Sequence, residues 1–270
     1  MVIAILTIAI TILNITMYDS FSEMAQKSAA FENFGAGFSQ SQKQGLPTDQ
    51  ASNLANQNNG NEIAILPSIV KDDLDIYFTQ ETLSKDIIAR ITGKSFINND
   101  DIELEQLRYI KILFYGFDGK TKIGELIVNE KVADDVIEIF KDLYIAKYPI
   151  EKVRLIDNYN ASDLASMEDN NSSAFCYREI TGGGAISQHA LGLAIDINPI
   201  QNPYLLMKSG LANQVLPSSG DPNLNRDKNV KGLIIKDDPC YKAFVKRGWK
   251  WGGDWENPID YQHFYKVIAD

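Results

Sequence analysis

An α+β fold is predicted, from three observations: an apolar β-rich pair of segments joined by an Asp-Gly turn, a helix-spaced apolar stripe directly after it, and later strands and helices that do not alternate as β-α-β units. In chain order, residues 81–93 (ETLSKDIIARITG) predict a short helix stopped by Gly93. Residues 108–116 (RYIKILFYG) predict a strand that turns at Asp118-Gly119 into a second strand, 124–128 (GELIV), making a hairpin. Asn129 is placed to cap the next helix, whose Val132, Val136, Ile139, Phe140 and Leu143 recur at helical spacing until Pro149 forbids continuation. A strand is expected over 152–156 (KVRLI), another over 192–198 (GLAIDIN), and a helix over 241–248 (YKAFVKRG) that ends at Gly248. The chain shows no internal repeat and no Gly-rich strand-to-helix loop of the dinucleotide or P-loop kind.

With 270 residues and 44% hydrophobic content, the chain can build one sizeable core and needs neither disulfide nor metal merely to fold. A metal would therefore serve chemistry. Lys and Arg number 26 against 36 Asp and Glu, a formal charge of -10, with no basic block to follow a phosphate backbone, so nucleic acid is excluded as an expected partner. Residues 2–17 (VIAILTIAITILNITM) are apolar, uncharged and close to the shortest length that spans a bilayer. Residues 1–18 are read as an export or anchor segment, with the membrane as its partner. No basic residue precedes the run and no small-x-small site follows it directly, so a cleaved signal and a retained anchor both stay open. Residues 19–62 read as a flexible polar linker, because the Gln-, Asn- and Ser-rich stretch 39–62 has too little apolar surface to offset its ordering entropy. The folded domain is expected over 63–270. In an exported chain Cys176 and Cys240 are either a disulfide or two separate buried thiols.

The chain has two histidines, and each has a carboxylate near it: His189 lies before Asp196, and His263 lies after Asp260. Drawn as a strand, 192–198 puts Leu193, Ile195 and Ile197 on one face and Ala194, Asp196 and Asn198 on the other. A carboxylate over an apolar sheet requires a cation, from Arg, Lys or a metal. Gly192 permits a tight turn that brings His189 to the same point. Catalytic zinc usually takes three protein ligands and keeps a fourth position open, and His263 is the remaining imidazole. Asp260 is then a candidate general base. Zinc brings the pKa of coordinated water to about 7, which supplies a nucleophile for amide hydrolysis at neutral pH. Residue pattern alone leaves this site balanced against two ordinary histidine–carboxylate contacts.

The segment Ser187-x-His189-x-x-Gly192-x-Ala194-x-Asp196 resembles the SxHxxGxAxD signature of the zinc D-alanyl-D-alanine metallopeptidases, the VanY/VanX-type peptidases of bacterial cell walls. Residues 254–264 (DWENPIDYQHF) resemble the second signature of that family, and the likeness extends over about 107–270. The resemblance implies Zn2+ held by His189, Asp196 and His263, with Asp260 rather than Asp254 as the general base. From 170–179 (NNSSAFCYRE) it implies that Arg178 stabilises the developing oxyanion, against the alternative of an ordinary ion pair. Ser187 is either a hydrogen-bond partner of the ligand shell or substrate, or a simple turn hydroxyl. The three tryptophans of 248–255 (GWKWGGDW) read as an aromatic wall beside the cleft, with Trp251 against substrate, or as core packing.

The fold implied is an α+β domain around a central antiparallel sheet flanked by helices, shared with lysostaphin-type peptidases and the hedgehog signalling domain. The activity implied is hydrolysis of peptidoglycan stem peptides, as a D-Ala-D-Ala carboxypeptidase or as an L-Ala-D-Glu-type endopeptidase. A non-catalytic zinc-containing binding module is the alternative from another class. An exported, periplasmic or cell-surface location is expected, with tethering to the inner membrane by residues 2–17.

Overall fold

The computed structural model describes residues 71–180, 183–227 and 229–268. All of them belong to one compact unit, Asn59–Asp270. The apolar segment 1–18 and the linker 19–62 lie outside the described residues, and among those described no helix is long and apolar enough to cross a membrane.

The first part of the unit is a three-stranded antiparallel sheet under a helix. The helix expected over 81–93 is confined to α1 (Lys85–Ile91), because Ser84 caps it, its Oγ accepting from the Ile87 N–H at 3.3 Å. The residues just before it form β1 (Thr79–Thr82) and pair with β2 (Leu107–Tyr115). The hairpin turns at Asp118-Gly119, with Gly119 at φ +76, and returns as β3 (Thr121–Asn129). β3 begins at Thr121 rather than at 124, since Thr121 pairs with Tyr115 and continues the ladder. Asn129 caps as expected: its Oδ1 accepts from the Lys131 N–H at 3.0 Å and starts a 3-10 turn, Glu130–Val132, that leads into α2 (Ala133–Ile145). Val136, Ile139, Phe140 and Leu143 make the buried stripe of α2 and pack with Ile110, Ile112 and Leu126 of the sheet in one hydrocarbon core. The helix stops before Pro149, as Lys147 takes φ +51 and the Tyr148 N–H reaches back to Leu143 O at 2.9 Å.

The second part is made of much shorter elements. The strand expected over 152–156 shrinks to β4 (Lys152–Val153), followed by a 3-10 turn, α3 (Asp163–Glu168) and β5 (Asn171–Ser172), which pairs in parallel with β4. The strand expected over 192–198 shrinks to β6 (Ala194–Asp196). It is cut off by Asn198 at φ +48 and by Pro199, which has no N–H for a ladder. Both faces of 193–198 are buried, not one, so the alternation of apolar and polar residues does not mark a solvent face. Then come β7 (Tyr204–Leu206), β8 (Gln214–Leu216), α4 (Pro239–Val245), β9 (Lys250–Trp251), β10 (Ile259–Asp260) and β11 (His263–Tyr265). α4 starts at a proline behind the Asp238 cap, which accepts from the Tyr241 N–H at 2.6 Å.

The class is mixed α and β as predicted, but the single central sheet is corrected. Among the described residues there are three separate three-stranded antiparallel sheets, in the orders β1-β2-β3, β10-β7-β8 and β6-β11-β9, beside the parallel pair β4-β5. Strands of two or three residues interrupted by prolines cannot extend into one wide sheet. Cys176 and Cys240 are both free and buried, which decides for two separate thiols.

Candidate metal centre

His189 rides on a single 3-10 turn, Gln188–Leu191. Ser187 starts the turn, its buried Oγ accepting from the His189 N–H at 3.2 Å. Gly192 ends it at φ +67, where a Cβ would stand 2.5 Å from the Asn129 nitrogen. That close approach is used: the Asn129 N–H donates to Gly192 O at 2.9 Å and its Nδ2 donates to Leu191 O at 3.1 Å. One residue at the end of β3 thus caps the turn into α2 and clamps the turn that carries His189. The imidazole is oriented by Ala174, whose carbonyl oxygen lies 2.6 Å from Nδ1. A carbonyl only accepts, so Nδ1 carries a proton and Nε2 faces inward.

Asp196 and His263 are brought together by register. They stand opposite each other in the antiparallel pair β6–β11, so their side chains leave the sheet on one face. His263 Nδ1 lies 3.0 Å from Asp196 Oδ1, His189 Nε2 lies 3.2 Å from Asp196 Oδ2, and the two ring nitrogens are 3.2 Å apart. On its other edge the Asp196 backbone exchanges bonds with Ser173 at 2.9 and 3.1 Å, which holds the ligand strand from both sides. One donor atom from each of the three residues falls within 4.8 Å of the others, and all three residues are buried.

Burial alone would neutralise Asp196, but the two imidazoles outweigh it and hold the carboxyl far below its usual range. Burial likewise works against charge on His189, and the Asp196 carboxylate reverses this and raises its pKa. Two imidazoles and one carboxylate, buried and converging, suit a divalent ion such as zinc in both number and type of donor.

Asp260 sits at the end of β10, next to this group. Gly252 makes the approach of its loop feasible, since a Cβ there would meet Asp260 O at 2.7 Å and His263 Cβ at 3.3 Å. Asp260 Oδ1 is shielded from solvent and has no hydrogen-bond partner among the described residues. Burial pushes this carboxyl up to about 7; the His263 ring opposes the shift, and the charges of Asp196 and Asp163 add to it. Such a group can both take and return a proton near neutral pH.

Arg178 is held by a residue that the sequence did not single out. Its Nη2 pairs with Asp163 Oδ2 at 2.8 Å and its Nη1 donates to Glu179 O at 3.3 Å, while its Nε is buried without a partner among the described residues. The charge of Arg178 acts on His189, and that of Asp163 acts on both His189 and Asp260. In sequence Ser162-Asp163 looks like any helix start, and nothing there tells of its partner.

The tryptophans separate into different environments. Trp251, expected against substrate, is 6% exposed, donates from Nε1 to Tyr261 O at 2.9 Å and packs on Tyr241 and Phe264. Trp249 lies edge-on to Phe244 in the same core. Trp255 is the one beside the site, its ring centroid 5.4 Å from that of His263, with Tyr265 stacked on His263 at 5.6 Å. Counting along 248–255 does not distinguish these rings, because only the packing of β9 against β11 decides which of them turns inward.

Residues 181–266 match the family model described as D-alanyl-D-alanine carboxypeptidase, in accord with the resemblance carried by the two motifs. The matched segment, less than half of the chain, holds Ser187, His189, Asp196, Asp260 and His263, whereas Asp163 and Arg178 precede it. Among curated proteins and solved structures, nothing matches the chain.

Proposed function

We propose that this chain is a zinc-dependent peptidase acting on peptidoglycan stem peptides, and that it removes the terminal residue as a D-Ala-D-Ala carboxypeptidase. The observation that supports this most directly is the buried group His189, Asp196 and His263 with Asp260 at its side, all inside the segment that matches the carboxypeptidase family. His189, Asp196 and His263 would hold zinc, which when bound would polarise the scissile carbonyl and acidify water at the site.

The protein's own groups supply the rest. The Asp260 carboxylate accepts the proton released on attack and returns it to the leaving amine, for which its raised pKa is suited. Arg178, steadied by Asp163, presents N–H groups to the carbonyl oxygen as negative charge develops there. Ala174 keeps the His189 ring in one orientation through its bond to Nδ1, and Ser187 fixes the backbone turn that carries the ring. A hedgehog-like peptidase architecture built from several small antiparallel sheets, and an exported location with residues 2–17 as the export or anchor segment, belong to the same proposal.

The test starts with metal content of the full-length protein beside His189→Ala and Asp260→Ala. One zinc per chain is expected, lost in His189→Ala and kept in Asp260→Ala, while Asp260→Ala lowers turnover of stem peptides by about 10²- to 10⁴-fold. Release of free D-alanine identifies the carboxypeptidase, and larger fragments identify an endopeptidase. Protein without stoichiometric zinc after exposure to zinc, or with zinc and no hydrolysis, would sink the proposal; the second outcome points to a binding module.

A further inference from the structure

The sheet β10-β7-β8 brings to Asp260 a residue that neither motif contains. Tyr204 on β7 stands opposite Asp260 on β10 in antiparallel register. Paired residues of this kind leave the sheet on the same face, with Cβ atoms about 5 Å apart. Tyr204 is 9% exposed, so its ring is fixed by packing. Its hydroxyl, however, makes no hydrogen bond among the described residues and is not sealed from solvent. A phenylalanine ring would fill the same space, so packing does not account for the oxygen. Its proximity to Asp260 shows in its acidity: burial raises the Tyr204 pKa and the Asp260 charge raises it further.

Two polar groups therefore share one face of the sheet beside the metal ligands, Tyr204 Oη and Asp260 Oδ1, and neither is bonded to the other. Of the two, the Tyr204 hydroxyl is the one open to a bound peptide. Arg226, which stacks on the adjacent Tyr261 at 4.3 Å, has both Nη atoms committed to Gln201 O, Asn223 O, Asn202 Oδ1 and Ile234 O at 2.6–3.0 Å, and its Nε is buried, without a partner among the described residues. A neutral hydroxyl, not that guanidinium, is what this face offers to an incoming acceptor.

In the mechanism proposed above, Asp260 hands its proton to the leaving amine, so the face that it shares with Tyr204 is the leaving-group side. We infer that the Tyr204 hydroxyl is a specificity-determining group that binds the leaving residue of the peptide, donating a hydrogen bond to its terminal carboxylate. The inference rests on the peptidase reading and adds to it a residue that selects for a free C-terminus.

Tyr204→Phe in the full-length, zinc-loaded protein removes this one oxygen. For a stem peptide ending in D-Ala-D-Ala, KM should rise about tenfold with kcat nearly unchanged, because the bond is made to substrate and transition state alike. Binding of free D-alanine, measured by calorimetry without turnover, should weaken by a similar factor, with zinc content and melting temperature as in the parent. Parent-like KM and D-alanine affinity in Tyr204→Phe would overturn the inference and leave the peptidase reading standing. A loss confined to kcat would also overturn it, since the hydroxyl would then act only in the transition state. A parent protein that cleaves no stem peptide removes the peptidase reading itself, and this inference with it.

Discussion

Between the β2–β3 hairpin and α2 the interior is hydrocarbon, with Ile110, Ile112 and Leu126 on strands of nine residues and Ile139 and Phe140 on the helix, all fully or almost fully buried. Around β6, β7 and β11 that hydrocarbon core continues through Ile195, Ile197 and Phe264, but buried amides are added to it. Asn202 alone uses Nδ2 on the carbonyls of Ile197, Asn198 and Gly232, and Oδ1 on Arg226 and the Ile234 N–H. Asn198 bonds Pro149 O at 2.8 Å and the Glu151 N–H at 3.1 Å, and Asn171 bonds both backbone groups of Arg154 at 2.9 and 3.0 Å. The difference follows from strand length. A nine-residue ladder holds its own geometry and needs apolar volume behind it, whereas strands of two or three residues have too few ladder bonds to fix a direction. Buried amides supply that direction because each of their bonds has a preferred angle, and each one left unmade is expensive. The three candidate metal ligands, His189, Asp196 and His263, all come from the amide-held part.

This contrast can be broken by substitution. The largest stability effect is expected for Phe140→Ala, about 3–5 kcal/mol from lost burial and a residual cavity, read as a shift in urea midpoint. Zinc affinity of the folded protein should not change; if it falls, the two parts are coupled and the distinction fails. A smaller stability loss, about 1–3 kcal/mol, is expected for Asn202→Ala, which leaves buried carbonyls and a guanidinium short of partners. Here zinc affinity should fall with it, by about 10- to 100-fold as for other groups that support metal ligands indirectly. An unchanged zinc affinity would mean that β6 and β11 hold their own geometry without the amide network.

The smallest effect is on pH dependence in protein stripped of metal. Asp260 rises from 3.8 to about 7 in the folded state, so it takes up a proton more readily when folded. Its contribution to stability is complete below about pH 3.8 and is lost as pH climbs through 7. The melting temperature of Asp260→Asn should therefore decline less between pH 4 and pH 7 than that of the parent. Some slope should persist in the variant, because burial also lifts Asp238 to about 6. Parallel profiles for variant and parent would show that Asp260 is not buried in the way its environment indicates.

The β2–β3 hairpin and α2 were legible in sequence because local rules govern them: an Asp-Gly turn, a side-chain cap at Asn129 and an apolar stripe at helical spacing. The strands over 152–156 and 192–198 came out too long: the first ends where the side chain of Asn171, distant in the chain, takes both backbone groups of Arg154, and the second ends at Asn198, whose positive φ the apolar alternation did not reveal, and at Pro199. At the site, His189, Asp196, Asp260 and His263 stood out because scarce imidazoles next to carboxylates are visible in one dimension. Asp163 and Tyr204 were invisible there, and Trp255 was not told apart from Trp249 and Trp251, for each acts on a residue that only folding brings near it. By itself the sequence determined which donors the chain has and which segments present them, because residue chemistry and local turn geometry are properties of neighbours in the chain. The tertiary structure decided that the donors meet at one point, that Trp255 rather than Trp251 faces them and that Tyr204 shares a face with Asp260, because register and burial depend on pairings between segments that are distant in sequence.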